Sequence, residues 1–317
     1  MKRILLISAL TVLACLNMQA QKNKRSTTVV FTPQWTAQSQ FAGYYVAQEL
    51  GYYREEGLNV QIAHPNATQG SDERIKSNTS QITTLQLAQA MQLIDQGTPL
   101  VNLLQTSMNN GLLIVSRRNM NPMEQKGAKV ALWRAGFTQL VECAAKEADL
   151  QFEWVRAANM INLFVAGAVD ASVAMSYNEY YQILQAGIKI TEDNIYRFAD
   201  HDCNIQEDGL YVTREYYNKH KEQADKFARA SRRGWEYAAE HPEEALDIVM
   251  KYVRRNNIAT NRIIQRKMLE EILRLQLDPD SGEREFRIRP DMLEKANDLM
   301  LRNGEISRAI TMEDLSR

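Results

Sequence analysis

Between Thr28 and Ile62 the chain runs strand, helix, strand within about 35 residues, the length of a single right-handed βαβ unit. Residues 28–31 are β-branched and aromatic, as a short strand wants. The loop Thr32-Pro33-Gln34-Trp35-Thr36-Ala37-Gln38 leads into a helix expected over 40–50, where Phe41, Tyr44, Tyr45 and Gln48 fall at helical spacing. Ser39 is the expected N-cap, and Gly51 stands where a left-handed residue ends such a helix. After Gly57, Leu58, Val60 and Ile62 alternate with Asn59 and Gln61 in the manner of a half-buried strand. The pattern recurs as strand 81–84, helix 85–96, Gly97 and strand 100–105. Strand 112–116 follows, and then a polar stretch, 117–126, carrying Pro122, which reads as a crossing between two lobes. A second series runs through strands at 129–132, 152–155, 171–174 and 209–212, with helices at 138–148, 160–166 and 179–185. From Glu215 the chain turns to charged amphipathic helices, split at His241-Pro242. This layout is α/β, with two lobes around a cleft of the kind that takes small ligands.

Charge narrows the partners. The 38 Lys and Arg nearly cancel the 39 Asp and Glu, and there is no basic tract, so nucleic acid is not expected as a partner. Three cysteines make no disulfide scaffold, and four scattered histidines make no readable metal site. Residues 1–20 have the form of a signal peptide. Lys2 and Arg3 precede an apolar run from Ile4 to Ala14 that is interrupted only by Ser8 and Thr11 and is too short to span a bilayer. Two processing routes are open. Val12-Leu13-Ala14-Cys15 is similar to a bacterial lipobox, which would make Cys15 a lipid anchor; cleavage after Ala20 would instead release a soluble protein. Both put the folded part outside the cytoplasm, periplasmic or membrane-anchored. Cys143 and Cys203 would then be one bond or two thiols.

The stretch from Gln34-Trp35 through Phe41-Ala42-Gly43-Tyr44-Tyr45 to Gly51-Tyr52-Tyr53 and Glu56-Gly57-Leu58 resembles the N-terminal signature of one superfamily. It comprises the sulfonate-binding and thiamine-pyrimidine-precursor-binding proteins of ABC importers, together with the fungal thiamine-pyrimidine synthase. Gln96-Gly97-Thr98-Pro99-Leu100, Gly167-Ala168-Val169-Asp170-Ala171 and Ser176-Tyr177-Asn178-Glu179 match later steps of its pattern. The resemblance covers roughly residues 28–250 and implies a type II periplasmic-binding-protein fold, two α/β lobes with a hinge and a ligand cleft, followed by a helical C-terminal tail. It places one lobe at 27–116 plus 209–317 and the other at 117–208, closing on ligand by hinge motion.

The resemblance also implies a set of site residues. Trp35 takes the place of a ligand-stacking aromatic, although a core tryptophan would look the same. Gln40 and Phe41 open the next helix toward the cleft, where many relatives carry a histidine that this chain lacks; Phe41 suits a core equally. Asn178 and Glu179 match a pair that meets an aminopyrimidine edge, Glu179 accepting and Asn178 offering both a donor and an acceptor. They are also what a helix start favours. Tyr177 is a wall of the cleft or simple packing. In Trp133-Arg134-Ala135-Gly136-Phe137-Thr138 the turn around Gly136 and Phe137 would hold an anion, strengthened by Arg134 unless that residue is only a surface arginine. Asn109-Asn110-Gly111 reads as a tight turn, with Asn109 placed to line the cleft.

Turnover is not expected. The synthase branch uses a histidine and a cysteine-rich segment; here Gln89 stands for the first and only Cys203 remains of the second. No hydrolase elbow, zinc-protease helix or phosphate loop is present. The expectation is therefore a monomeric solute-binding component of an ABC importer, docking on a membrane permease, with no cofactor and no metal. A thiamine pyrimidine precursor is the first expected ligand and a sulfonate or taurine the second. A subunit presenting ligand to a membrane sensor is the rival role.

Overall fold

The computed structural model of the protein describes residues 28–66, 69–134, 138–201 and 203–317. The signal segment 1–20, with Cys15, lies outside these residues. Among the described residues, ten strands form two five-stranded sheets. β1 (Thr28–Thr32), β2 (Asn59–Ile62), β3 (Ile82–Gln86), β4 (Leu100–Gln105) and β10 (Asp208–Thr213) make the first, in the order β2-β1-β3-β10-β4. β5 (Leu112–Ser116), β6 (Lys129–Trp133), β7 (Glu153–Ala157), β8 (Ala171–Met175) and β9 (Ile195–Arg197) make the second, in the order β7-β6-β8-β5-β9. β1 pairs in parallel with β2 and β3, and β6 with β7 and β8. The antiparallel strand of each sheet, β10 or β5, is the one by which the chain enters that lobe after a crossing.

That topology corrects the expected boundary. Strand 112–116 was placed with the first lobe, but β5 is bonded to β8 and β9 in the second sheet. The outward crossing is therefore 106–111, and 117–126 is a loop within the second lobe. The return crossing, 203–207, runs beside it. Asn110 donates from its amide N to the Asn204 side-chain oxygen (3.1 Å) and from Nδ2 to the Cys203 carbonyl (2.6 Å), and the Glu207 N–H donates to Ser107 Oγ (2.7 Å). Cys143 and Cys203 are separate thiols, and burial pushes the Cys143 thiol up to about 12.

The residues that carry the resemblance in the first helix prove to be packing residues. Ser39 does not cap; it lies in a 3-10 turn, Ser39–Phe41, with its hydroxyl bonded to Gln265, and the α-helix proper is Ala42–Glu49. This helix crosses the long helix Arg214–Glu240 at Gly43 and Gly234, close enough that Tyr44 meets Trp235 edge-on (5.6 Å) and Phe31 at 4.7 Å. Gly51 is left-handed as expected (φ 82°). The C-terminal helices are more than a tail. Helix Pro290–Asn303 packs Leu293, Ala296 and Met300 with Leu87, Met91 and Ile94 of the first lobe. Its end meets the second lobe, where Arg302 and Asn303 bond Glu147 at 3.1 Å. No helix among the described residues is long and apolar enough to cross a membrane.

Candidate functional site

Open α/β sheets bind ligands beyond the carboxyl ends of their parallel strands. Here those ends face each other across the lobes: 33–38 after β1, Gln86 at the end of β3, Trp133 at the end of β6 and 175–179 after β8. Between them lies a small cavity of about 20 Å³ lined by Gln34, Trp35, Gln38, Gln40 and Gln86 from the first lobe and Trp133, Met175, Tyr177, Asn178 and Glu179 from the second. The lobes are closed on it: Gln40 Nε2 donates to the Tyr177 hydroxyl (3.2 Å), Ser176 to Glu271 (2.7 Å) and Gln139 to Gln92 (2.7 Å). The side chains leave free only about the room of a water or two, so a ring-sized ligand must part the walls to enter. A wider polar mouth, lined by Gln182, Gln185, Thr260 and Asn261, opens beyond Trp35 and Asn178.

The cavity is walled by aromatic rings and surrounded by acceptors. Glu179 is buried and accepts from the Met175 N–H (3.0 Å), Asn178 Nδ2 (3.2 Å) and Trp133 Nε1 (3.3 Å). Burial raises its carboxyl, against those hydrogen bonds. Asp208, at the first residue of β10, accepts from Gln34 Nε2 and Gln40 Nε2, both at 2.7 Å. Its carboxyl is pushed up to about 6 by burial, opposed by the two glutamines. Gln38 donates to Gln40 (2.7 Å), completing a chain of amides that fixes Asp208. The Gln34 side-chain oxygen is buried with no partner among the described residues. No lysine, arginine or histidine appears among the described residues lining the cavity.

His64 is a supporting residue to which no motif points. Its Nδ1 faces the Trp35 carbonyl at 2.6 Å and its Nε2 the Tyr45 hydroxyl at 2.9 Å. Burial lowers its pKa, so the neutral ring donates from Nδ1 to Trp35 and accepts from Tyr45. A half-buried imidazole therefore stands near Phe41 (ring centroids 6.0 Å) after all, supplied by the chain after β2 and used to hold the backbone of Trp35.

Of the residues singled out from the sequence, Trp35, Gln40, Tyr177, Asn178 and Glu179 come together in this cavity. Asn178 stands at the N-cap position of helix Glu179–Gln185, yet its side chain makes no capping bond and instead reaches Glu179 and Gln182. Phe41 is wholly buried in the first lobe's core, because the 3-10 turn rotates it away from the cleft. Asn109 belongs to the hinge, donating to the Leu277 carbonyl and accepting from Asn204. Arg134 is exposed at the end of β6, outside the lining; Gly136 and Phe137 lie outside the described residues. Gln34, Gln38, Gln86, Trp133, Met175 and Asp208 were not singled out. The nearest signal was the run of glutamines around Trp35.

The Asp208 carboxyl behind the glutamines has a pH signature. Between the ordinary aspartate value of 3.8 and about 6 the folded protein holds a proton on Asp208 that the unfolded chain has lost. This contribution to stability is complete below 3.8 and is lost as pH rises through 6, about 3 kcal/mol in all and about 1.4 kcal/mol of it between pH 5 and 7.5. Glu179 and Glu207, also raised by burial, act in the same direction. Wild-type protein should therefore melt higher at pH 5 than an Asp208→Asn variant does, when each is referred to its own value at pH 7.5. Equal pH slopes in the two proteins would contradict the assignment.

Comparison with known proteins fits this architecture. The model of the family described as NMT1/THI5 like matches residues 38–245. A formylaminopyrimidine-binding protein of Halalkalibacterium halodurans is 23% identical over 290 residues, covering 87% of this chain and 86% of its own. Among solved structures, the ligand-binding component of an ABC-type import system from Staphylococcus aureus superposes with a TM-score of 0.68 at 12% identity, over 92% of this chain and 96% of its own. The periplasmic aliphatic sulphonate-binding protein SsuA of Escherichia coli gives 0.64 at 14% identity over 92% of each chain. The fold is thus the type II periplasmic-binding-protein fold.

Proposed function

Because this chain belongs to the NMT1/THI5-like family, we propose that it is the extracytoplasmic solute-binding component of an ABC import system, taking a small amino-substituted heteroaromatic ligand such as a thiamine pyrimidine precursor. The observation that carries the ligand class is the buried Glu179 carboxyl in a ring-walled cavity with no cation in its described lining, backed by Asp208 behind the Gln34 and Gln40 walls. Trp35, Trp133 and Tyr177 offer flat faces for stacking, worth about 0.5–1.5 kcal/mol per pair beyond burial. Glu179 and the free Gln34 oxygen accept amino hydrogens; the Trp133 and Asn178 bonds to Glu179, at 3.3 and 3.2 Å, are the long ones that a ligand donor replaces. A sulfonate would instead face the buried Glu179 carboxyl, and like charges so placed cost several kcal/mol. The formylaminopyrimidine-binding relative supports the same class. The N-terminal segment exports the chain, the closed lobes dock on a membrane permease, and the ligand is released unchanged.

Calorimetry and thermal shift with a 4-amino-5-hydroxymethylpyrimidine and with an alkylsulfonate test this reading. The pyrimidine should bind saturably and, at a hundredfold excess over Kd, stabilise the protein by about 2.7 kcal/mol. Tighter binding of the sulfonate would overturn the ligand class while leaving the fold untouched.

A further inference from the structure

Behind the contact of Gln40 with Tyr177 lies a second, closed chamber that shares both residues with the outer cavity. Its polar wall is Glu207, Asp208 and Gln276, its apolar wall Trp235, Ile272 and Leu275, and it has room for about one water-sized group. Glu207 is 6% exposed and Asp208 8%. Neither forms an ion pair among the described residues; the Asp208 oxygens receive only the two glutamine amides, and the Glu207 carboxyl accepts from the Gly111 N–H. Gln276 is 2% exposed, and neither its amide nitrogen nor its amide oxygen has a partner among the described residues. Two adjacent buried carboxyls and a buried amide with no partner among the described residues are expensive to maintain, since each wants a partner of opposite charge or polarity.

We infer that this chamber is a cation subsite, in which Glu207, Asp208 and the Gln276 side-chain oxygen receive a protonated amino substituent of the ligand whose ring lies in the outer cavity. An ammonium group fits the space and has three donors for three acceptors. The substituent enters between Gln40 and Tyr177, whose 3.2 Å bond is the weakest of those holding the wall. Burial and the neighbouring Asp208 raise the Glu207 carboxyl and favour its protonated form, with Tyr44, Tyr177, Tyr211 and the more distant Glu271 the other titratable groups facing this cluster. Seating an ammonium there pulls the raised carboxyl back down and so favours release of a proton.

This inference rests on the aminopyrimidine reading above, and its test separates the two. Two pyrimidines with the same 4-amino ring are compared by calorimetry at pH 7, one with a 5-aminomethyl group, protonated at that pH, and one with a neutral 5-hydroxymethyl group. Binding of the first should be at least tenfold tighter. Repeated in buffers of different ionisation enthalpy, it should release up to about one proton, and the hydroxymethyl compound none. Glu207→Gln and Gln276→Leu should each bring the affinity ratio toward one. Equal affinities in the wild-type protein, or tighter binding without proton release, overturn the subsite and leave the aminopyrimidine reading standing. Failure of both compounds to bind overturns that reading together with the subsite.

Discussion

Replacing Gly234 by alanine should lower the melting temperature by about 10 °C, the largest stability effect we expect from a single methyl group in this chain. A Cβ built there lies 2.0 Å from the Gly43 carbonyl oxygen and 2.9–3.0 Å from Ala47 atoms. The nearest of these is backbone, so no rotamer change relieves the clash and the helices Ala42–Glu49 and Arg214–Glu240 must separate. Separation opens the cluster of Phe31, Tyr44, Phe227 and Trp235, all essentially without exposure. Overpacking usually costs 1–3 kcal/mol; against a fixed backbone atom in this core we expect about 4 kcal/mol. Gly57→Ala is the control. That glycine is left-handed (φ 77°) but has nothing within 4 Å of the added carbon, so its cost is the conformational one alone, about 1–2 kcal/mol. A Gly234→Ala protein that melts no lower than the Gly57→Ala protein would show that the helices part easily.

Glu179→Gln should weaken aminopyrimidine binding about 100-fold, close to 2.7 kcal/mol. The carboxylate is surrounded by donors: the Met175 N–H, Trp133 Nε1 and Asn178 Nδ2. A glutamine of the same shape puts an NH2 where one acceptor oxygen stood, facing either a protein N–H or the amino group of the ligand. The loss should appear in the dissociation rate, with little change in melting temperature, because burial already raises the Glu179 carboxyl and makes the neutral side chain tolerable to the fold. Unchanged affinity would reduce Glu179 to a helix-start residue that holds Trp133 and Asn178.

Most of the element order could be read because each βα step is local: periodicity and the left-handed glycines at Gly51 and Gly97 lie within a few residues of the elements they bound. Sheet membership is not local. Residues 112–116 are a fully buried run that reads alike in either sheet, and only its partners β8 and β9 assign it to the second lobe. The polar 117–126 stretch mimicked a linker, while the working crossing, 106–111, is six residues long and mostly buried. The three-residue β9 is too short to announce itself. In the site, five of the residues carried by the resemblance, Trp35, Gln40, Tyr177, Asn178 and Glu179, meet where the strand ends converge, but Asp208, next to Glu207 at the start of a strand, belongs to no motif. Its importance comes from Gln34 and Gln40, more than 160 residues away in sequence. Phe41 shows the converse: a residue inside a recognisable signature, turned into the core by one 3-10 turn.

The two crossings are bonded to each other through Thr106, Ser107, Glu207 and Asp208, so the carboxyls of the inner chamber sit on the pivot of the molecule. A force applied at a pivot has almost no lever arm. Charge neutralised there strengthens the hold on a ligand and stiffens the axis, but supplies little torque to swing one lobe toward the other. That torque must come from contacts made off the crossings, such as Gln92 with Gln139 and Ser176 with Glu271. Affinity and closure are therefore set by different residues, and a substitution at one pair can tune how far the lobes shut without altering how tightly the chamber grips.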